Sequence, residues 1–560
     1  MTDTMVPTSG ILYVTMKPKQ TLPIAQFHDW YNNEHGPTRL RLPFIKNGFR
    51  YRATDLEGPG EGMPEWMAIY DVTDMSEMIK EPYTTLRRDD VKSQREKDTM
   101  KQIGVDRRIY DLVKSWESKE FKRLEKVKAE TEENVLVTVS LSLNTGEENV
   151  KELENWYNKE HVSMLSRVPG WLRTRRFVTS SVEGKQEIEY LALHEYAPQN
   201  GLGGEEFKAA TSTPWDNKIM AQVVQEKRRR TYELYYTFGP APRELSALSG
   251  TNLAPFTSPD GQTRTLPIPP DDGVAAIESY VTTPDGVVLP YRLEGSPSQN
   301  APLIVLSNSI LVDWGIWDSF VAAFFSSSQN RKYRVLRYLT RGRSHRCGDQ
   351  NITVDVLASD ITVLLDALRI PKAAAVIGVS LGGATVLNMA LKYPARVAAF
   401  MACDTNAKSP EESKKTWSGR IVVAENEGAK AQTGETVVGE QLGELTVRRW
   451  FVKESFDGGI TEAEIRRVKA MAESNSLEGF KKSVQALWQY DLQEEMKACA
   501  VRGAFVVGGR DGVLPGVMEE MAKGFGEGAE YLVIDGVGHL PMVERPREFA
   551  EVVTRFLDGS

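Results

Sequence analysis

The chain has 560 residues, 41% of them apolar and 26% charged, which excludes collagen-like, low-complexity and wholly disordered chains and, at roughly 100–200 residues per domain, points to several structural units. Lysine and arginine number 69 against 77 acidic residues, a net charge of −8; with only the short basic run Lys227-Arg228-Arg229-Arg230, that balance gives no footprint for a nucleic-acid backbone. The three cysteines, Cys347, Cys403 and Cys499, are too few for a disulfide framework or a Cys-rich metal site and fit a reducing, cytoplasmic compartment.

In chain order, Met1 to Gly10 carries no basic residue, and the apolar run Ile11 to Met16 is too short for a signal-peptide core. The residues up to 238 then repeat themselves. Trp30-Tyr31-Asn32-Asn33-Glu34-His35 recurs as Trp156-Tyr157-Asn158-Lys159-Glu160-His161, an offset of 126. A β-like run precedes each copy (Ile11 to Met16; Val135 to Leu143), a proline-aromatic segment follows, and a second apolar strand comes later (Trp66 to Tyr70; Tyr190 to His194). Each half reads strand, helix, strand, strand, helix, the order of a ferredoxin-like split βαβ unit, over 1–125 and 126–238. Two such units are expected to pack sheet against sheet.

On the aromatic-x-x-x-His signature of its first helix, this part resembles the EthD-like members of the dimeric α+β barrel superfamily. The duplication then implies that one chain supplies both halves of a barrel that relatives build from two subunits. His35 and His161 end their predicted helices, where a cation complements the helix dipole. The resemblance equally allows them to be a polar pair in a ligand cavity, as base or orienting donor.

Residues 239–272 hold seven of the 28 prolines, mixed with Ser, Thr, Gly and Asp, and read as a semi-rigid linker. Beyond it, 273–560 carries the chemistry. Between Lys372 and Lys392 lie 19 uncharged residues, close to the length of a membrane span. The order within them argues otherwise: an apolar run from Ala373 to Ile377, then Gly378-Val379-Ser380-Leu381-Gly382-Gly383, then helical periodicity to Tyr393 and Pro394. That is strand, sharp turn and helix, the nucleophile elbow of α/β-hydrolases, in which Ser380 takes strained backbone angles and the glycines remove colliding side chains.

A serine hydroxyl needs a base, and that fold orders its triad Ser, acid, His. His539, after the strand ending near Ile534, is the expected base, with Asp511 in the turn after the Ala504 to Val507 strand as the acid and Asp404 as its rival. The oxyanion donors are expected to be the amides of Leu381 and Ile310. About 95 residues between Asp404 and Val501 read as a helical cap, placed at about 405–500, over the pocket. Ser309, Trp314, Arg448, Trp450 and Trp488 are its candidate substrate-binding residues, beside Trp417, Phe451 and Arg449.

Asn308-Ser309-Ile310 with Trp317-Asp318, Arg337-Tyr338 with Arg341-Gly342, Asp360 to Leu368, the elbow, Cys403-Asp404-Thr405 and His539-Leu540-Pro541 together resemble the 3-oxoadipate enol-lactonases and their α/β-hydrolase relatives over 275 to 557. The resemblance implies Ser380, Asp511 and His539 as the triad and a small-molecule lactone or ester as substrate. It departs where relatives usually read Asn-Ser-Leu-Gly, since Ile310-Leu311 lacks the glycine, and where Leu339 replaces a common aspartate. The expected fold class is thus a tandem ferredoxin-like α+β barrel followed by an α/β-hydrolase with a cap. The chain is expected to be a serine hydrolase needing no cofactor or metal, with no nucleic-acid or membrane partner, and able to form a homo-oligomer. Other readings are a C–C bond hydrolase acting on a diketone or dienoate, a bifunctional enzyme whose barrel isomerises, cyclises or decarboxylates, and a barrel serving only for assembly or ligand binding.

Overall fold

The computed structural model describes residues 8–123, 133–249, 252–268, 273–457, 459–526 and 528–559. The chain divides into two units, Met1–Pro242 and Arg243–Ser560.

Unit 1 is a closed antiparallel barrel of eight strands: β1 (Gly10–Pro18), β2 (Ile45–Ala53), β3 (Trp66–Val72), β4 (Ile103–Glu117), β5 (Val135–Leu143), β6 (Trp171–Thr179), β7 (Tyr190–Tyr196) and β8 (Val224–Thr237), in the order β1-β3-β2-β8-β5-β7-β6-β4. Each half adds a final strand to the expected order. β4 pairs with β1 of its own half and β6 of the other, and β8 pairs with β5 and β2. These two strands close the sheet edge to edge, in place of two sheets packed face to face, and closure removes every unpaired edge. Both carry runs of charge, as in Val224-Gln225-Glu226-Lys227-Arg228-Arg229-Arg230, because much of their length is exposed.

Unit 2 is a ten-stranded sheet in the order β18-β17-β16-β15-β13-β14-β12-β11-β10-β9. Its strands are β9 (Phe256–Thr257), β10 (Arg264–Leu266), β11 (Ala276–Thr282), β12 (Val288–Gly295), β13 (Leu303–Ser307), β14 (Arg334–Tyr338), β15 (Ala375–Val379), β16 (Ala399–Cys403), β17 (Arg502–Gly508) and β18 (Glu530–Ile534). From β14 through β13 and on to β18 the pairings are parallel, and the central strands β13, β15 and β16 are almost wholly apolar, as burial on both faces requires. Part of the segment read as a linker forms an edge of this sheet: β9 pairs with β10 and β10 with β11, and buried Arg243 donates from Nε to the Leu368 carbonyl at 2.7 Å. Unit 2 therefore begins at Arg243 rather than near 273.

Between β16 and β17 lie the helices Ser413–Glu427, Glu440–Trp450, Gly459–Glu473 and Leu477–Ser483. Gly342, after β14, passes close under them: a Cβ there would stand 1.8 Å from Ser483 Oγ. Its neighbour Arg341 is locked by Asp360 Oδ2 at 2.7 Å and Asp285 Oδ2 at 2.8 Å. The 19 uncharged residues form β15 and the helix Leu381–Lys392. Among the described residues no helix is long and apolar enough to cross a membrane.

Candidate active site

The order of the parallel strands reverses between β13 and β15, the switch point at whose carboxyl ends such sheets place ligands. Ser380 stands there, between β15 and its helix, at φ 57° and ψ −117°. The turn fits because side chains are missing where backbones meet. A Cβ on Gly378 would lie 2.1 Å from the Gly382 carbonyl oxygen, and one on Gly382 2.3 Å from that of Ser307. Backbone bonds hold the serine: its N–H donates to the Cys403 carbonyl at 2.9 Å, and its carbonyl accepts from Thr405 Oγ1 at 2.8 Å.

His539 follows β18. Its Nδ1 lies 2.6 Å from Asp511 Oδ2, and Asp511 occupies the turn after β17. The imidazole stacks on Trp450, centroids 5.7 Å apart at 27°, and the His539 N–H donates to the Trp450 carbonyl at 2.7 Å. Glu544 fastens the same loop to the chain after Trp450, accepting from Gly538 N–H at 2.6 Å and from Ser455 Oγ at 2.6 Å.

Asp404 sits beside this pair at φ 43°, its Oδ1 accepting the Gly508 N–H at 2.8 Å. Burial, and then the Asp511 carboxylate, push its carboxyl well above the ordinary range, which favours its neutral form. Ligand atoms of Asp404, Asp511 and His539 lie within 4.8 Å of one another, near enough to grip a cation. An Asp404 carboxyl biased toward its neutral form and an Nδ1 already engaged with Asp511 make them a poor set of ligands.

After β13 the chain forms a braced loop. Asn308 donates from Nδ2 to the Tyr338 carbonyl at 2.7 Å and accepts from Trp317 Nε1 at 2.9 Å. Leu311 adopts φ 71°, left-handed backbone that costs a non-glycine residue roughly 1–2 kcal/mol. Glycine is what the resemblance leads one to expect here, and Leu311 holds the left-handed conformation in its place. Arg343 Nη1 donates to the Leu311 carbonyl at 3.1 Å and helps to hold it. Ile310 and Ser309 are buried, and Ser309 Oγ has no hydrogen-bond partner.

Ser380 and His539 line one cavity of about 250 Å³, together with Thr405, Trp417, Arg420 and Tyr490. Arg420 and Arg449 flank the Trp417 ring, their Cζ atoms 4.2 and 5.9 Å from its centroid. Neither guanidinium has an ion-pair partner among the described residues. Burial lowers both, and Arg449, also beside Arg420, is pushed down to about 10.

The alpha/beta hydrolase family model matches residues 304–552. Over 277 residues the chain is 28% identical to 3-oxoadipate enol-lactonase 1 of Acinetobacter baylyi, covering 50% of this chain and 96% of that one. The second enol-lactonase of that organism is 27% identical over 239 residues, covering 41% and 79%. The C-terminal half is an α/β hydrolase. A solved enol-lactonase from Burkholderia xenovorans LB400 is 28% identical with a TM-score of 0.44, covering 50% of this chain and 99% of its own.

Of the candidates for the hydrolase pocket, the fold gathers Ser380, Asp511, His539 and Trp450, and sets Leu381 at the first turn of the elbow helix. Arg448 departs from expectation. It points outward, pairs with Glu444 at 2.7 Å and covers Phe456, because the Glu440–Trp450 helix turns its neighbours Val447 and Trp450 to the core. Trp314 and Trp488 are half-buried and stand outside the residues lining the Ser380 cavity. Arg420 was missed, since its helix, Ser413–Glu427, shows no apolar periodicity from which to phase it. In unit 1, His35 and His161 each end a five-residue π-helical turn, Tyr31–His35 and Tyr157–His161.

Proposed function

We propose that the hydrolase unit opens a small ester or lactone that carries a carboxylate, through an acyl-enzyme on Ser380. The observation that supports this most is the strained serine sharing a cavity with an imidazole that is itself bonded to a carboxylate. On this reading His539 takes the Ser380 hydroxyl proton as Oγ attacks the carbonyl carbon. Asp511 fixes the tautomer and steadies the imidazolium. The amides of Leu381 and Ile310 receive the oxyanion. The C–O bond breaks as His539 returns the proton to the departing oxygen, and water activated by the same imidazole releases the acid. The enol-lactonase relatives favour a lactone, and a barrel of EthD-like, ferredoxin-like ancestry is the companion reading for unit 1.

Exposure to a panel of small lactones, followed by acid quench and peptide mass analysis, tests the chemistry. A ring-opened acyl group adds the full mass of the lactone to the peptide holding Ser380. Turnover with the adduct on another residue, or through no adduct under single-turnover conditions, would reject the assignment.

Arg420, which lines the cavity together with Glu412, supplies the substrate's charge preference. A hydrogen bond to a charged group contributes about 1.5–3 kcal/mol, so Arg420→Met is expected to raise KM for a carboxylate-bearing ester about tenfold or more. KM for its neutral methyl ester should stay within about twofold, on the tenfold-per-1.4 kcal/mol scale. Equal losses on both substrates would assign Arg420 to packing of the cap.

A further inference from the structure

The two copies of the repeat in unit 1 have diverged at matched positions, and the divergence opens one of them. Strand register fixes the correspondence. Arg50 pairs with Ala68 across β2 and β3, as Arg176 pairs with Ala192 across β6 and β7; two residues on, Gly48 pairs with Tyr70, and Thr174 with His194. The helical side agrees. Ser93 Oγ donates to Glu34 and accepts the Glu96 N–H at 2.9 Å, as Thr213 Oγ1 donates to Glu160 and accepts the Asp216 N–H at 2.9 Å. His194 therefore stands where the first copy has Tyr70, and Asp216 where it has Glu96.

In the first copy these positions are spent on structure. Glu96 Oε1 lies 2.8 Å from His35 Nδ1, and Tyr70 donates its hydroxyl proton to Tyr31 at 3.2 Å. Phe238 packs so closely that a Cβ on Gly36 would stand 2.3 Å from its ring. In the second copy Asp216, one methylene shorter than Glu96, makes no bond to His161, and the position of Gly36 is held by Val162. His161, His194 and Asp216 line a cavity of about 670 Å³, within the range of small-molecule sites. His161 is 7% exposed, and its Nδ1 has no hydrogen-bond partner. His194 Nδ1 is engaged by Thr174 Oγ1 at 3.0 Å.

The chemistry of the lining narrows the occupant. Val139, Leu141, Phe207 and Met220 make the wall apolar, while Lys227 and Arg229 from β8 add positive charge. Burial keeps both imidazoles neutral, and the two cations help to hold His194 down to about 3. The Ala210 backbone hydrogen-bonds the His161 ring; a neutral imidazole accepts at its unprotonated nitrogen from an acidic O–H, and the cations favour the oxygen as it gains negative charge.

We propose that the second repeat of the barrel is a ligand site of its own for a planar, mainly apolar molecule bearing a phenolic or enolic hydroxyl, which donates to His161, while the first repeat has lost that capacity to the Glu96 contact. The site is distinct from the Ser380 cavity, which lies in the other unit.

Calorimetric titration of the full chain with 2-naphthol and with its methyl ether, 2-methoxynaphthalene, tests this. Saturable binding of one 2-naphthol per chain is expected, with a Kd at least tenfold below that of the ether and unaffected by prior fluorophosphonate treatment of the hydrolase. His161→Phe keeps a ring against Trp156 and should abolish the tenfold preference, whereas His35→Phe should leave it intact. Val139→Trp fills the cavity and should weaken both probes, so the decision stands even if the His161 variant does not fold. Absence of saturable 2-naphthol binding, displacement by fluorophosphonate, a preference that survives His161→Phe, or undiminished binding to a folded Val139→Trp would each overturn the proposal.

Discussion

Replacing Ser380 by alanine is expected to lower kcat on a competent ester or lactone by about four to six powers of ten, the loss seen when the nucleophile of such a triad is removed. Stability should hardly change, because the elbow is secured by the backbone bonds of Ser380 to Cys403 and Thr405 and by the clearance at Gly378 and Gly382, none of which involves Oγ. Alanine at φ 57° carries the same backbone strain as serine. Asp511→Asn should cost about 10⁴ in kcat, since an amide facing Nδ1 favours the wrong imidazole tautomer. Asp404→Asn should cost far less, because burial and the neighbouring Asp511 carboxylate already bias Asp404 toward its neutral form. Steady-state rates with intact urea midpoints would check all three. A Ser380→Ala enzyme within tenfold of the parent would remove Ser380 as the nucleophile and with it the proposed chemistry.

What could be read in the sequence was whatever a short window carries. The elbow was legible because strand, strained serine and helix fall within 19 consecutive residues, and three glycines mark where backbones meet. The His539 and Asp511 pairing was legible from chain order together with the place of each residue just after a predicted strand, with Asp404 as the rival acid. The repeat stood out because five of six consecutive positions recur, and the strands flanking it are apolar enough to declare themselves. The final strands of each repeat were not legible: β4 and β8 present long charged stretches to solvent, so their pattern reads as surface. Nor were β9 and β10, two and three residues long, set among prolines that ordinarily mark linkers. Which arginine of the cap reaches the pocket depends on how each helix is rotated, and Ser413–Glu427 offers no apolar stripe to set it. The difference between the two repeats escaped for another reason: Glu96 and Asp216 lie outside the recurring hexapeptide, and only strand register and the Ser93 and Thr213 contacts put them in correspondence.

Mild acid is expected to unfold the barrel through its histidines. His161 and His194 are buried and His28 and His35 largely so, and all four are held neutral, chiefly by desolvation: His28 is pushed down to about 2, His194 to about 3, His35 to about 4, and His161 well below its usual value. The unfolded chain binds these protons near pH 6.5 while the folded barrel does not, so stability is full above that pH and falls below it. The slope is about 1.4 kcal/mol per pH unit for each imidazole, until each folded pKa is reached. By pH 5 His28, His35 and His194 have each removed about 2 kcal/mol, roughly 6 together, and His161 acts in the same direction, a loss comparable with the whole stability of a typical domain. Asp55, Asp71 and Glu96, whose carboxyls are held low in the fold, add to the loss as pH falls toward their range. Glu34 and Asp216, raised mainly by burial, work against it. Equilibration of the full chain at pH 7 to 4, followed by a deuterium pulse at one fixed pH, reads the outcome unit by unit. Peptides from 10–238 should lose protection between about pH 5.5 and 4.5, and His35→Phe or His28→Phe variants that remain folded should shift that transition to lower pH. Barrel peptides protected down to pH 4 would show that these imidazoles take up protons without unfolding and would sink the idea.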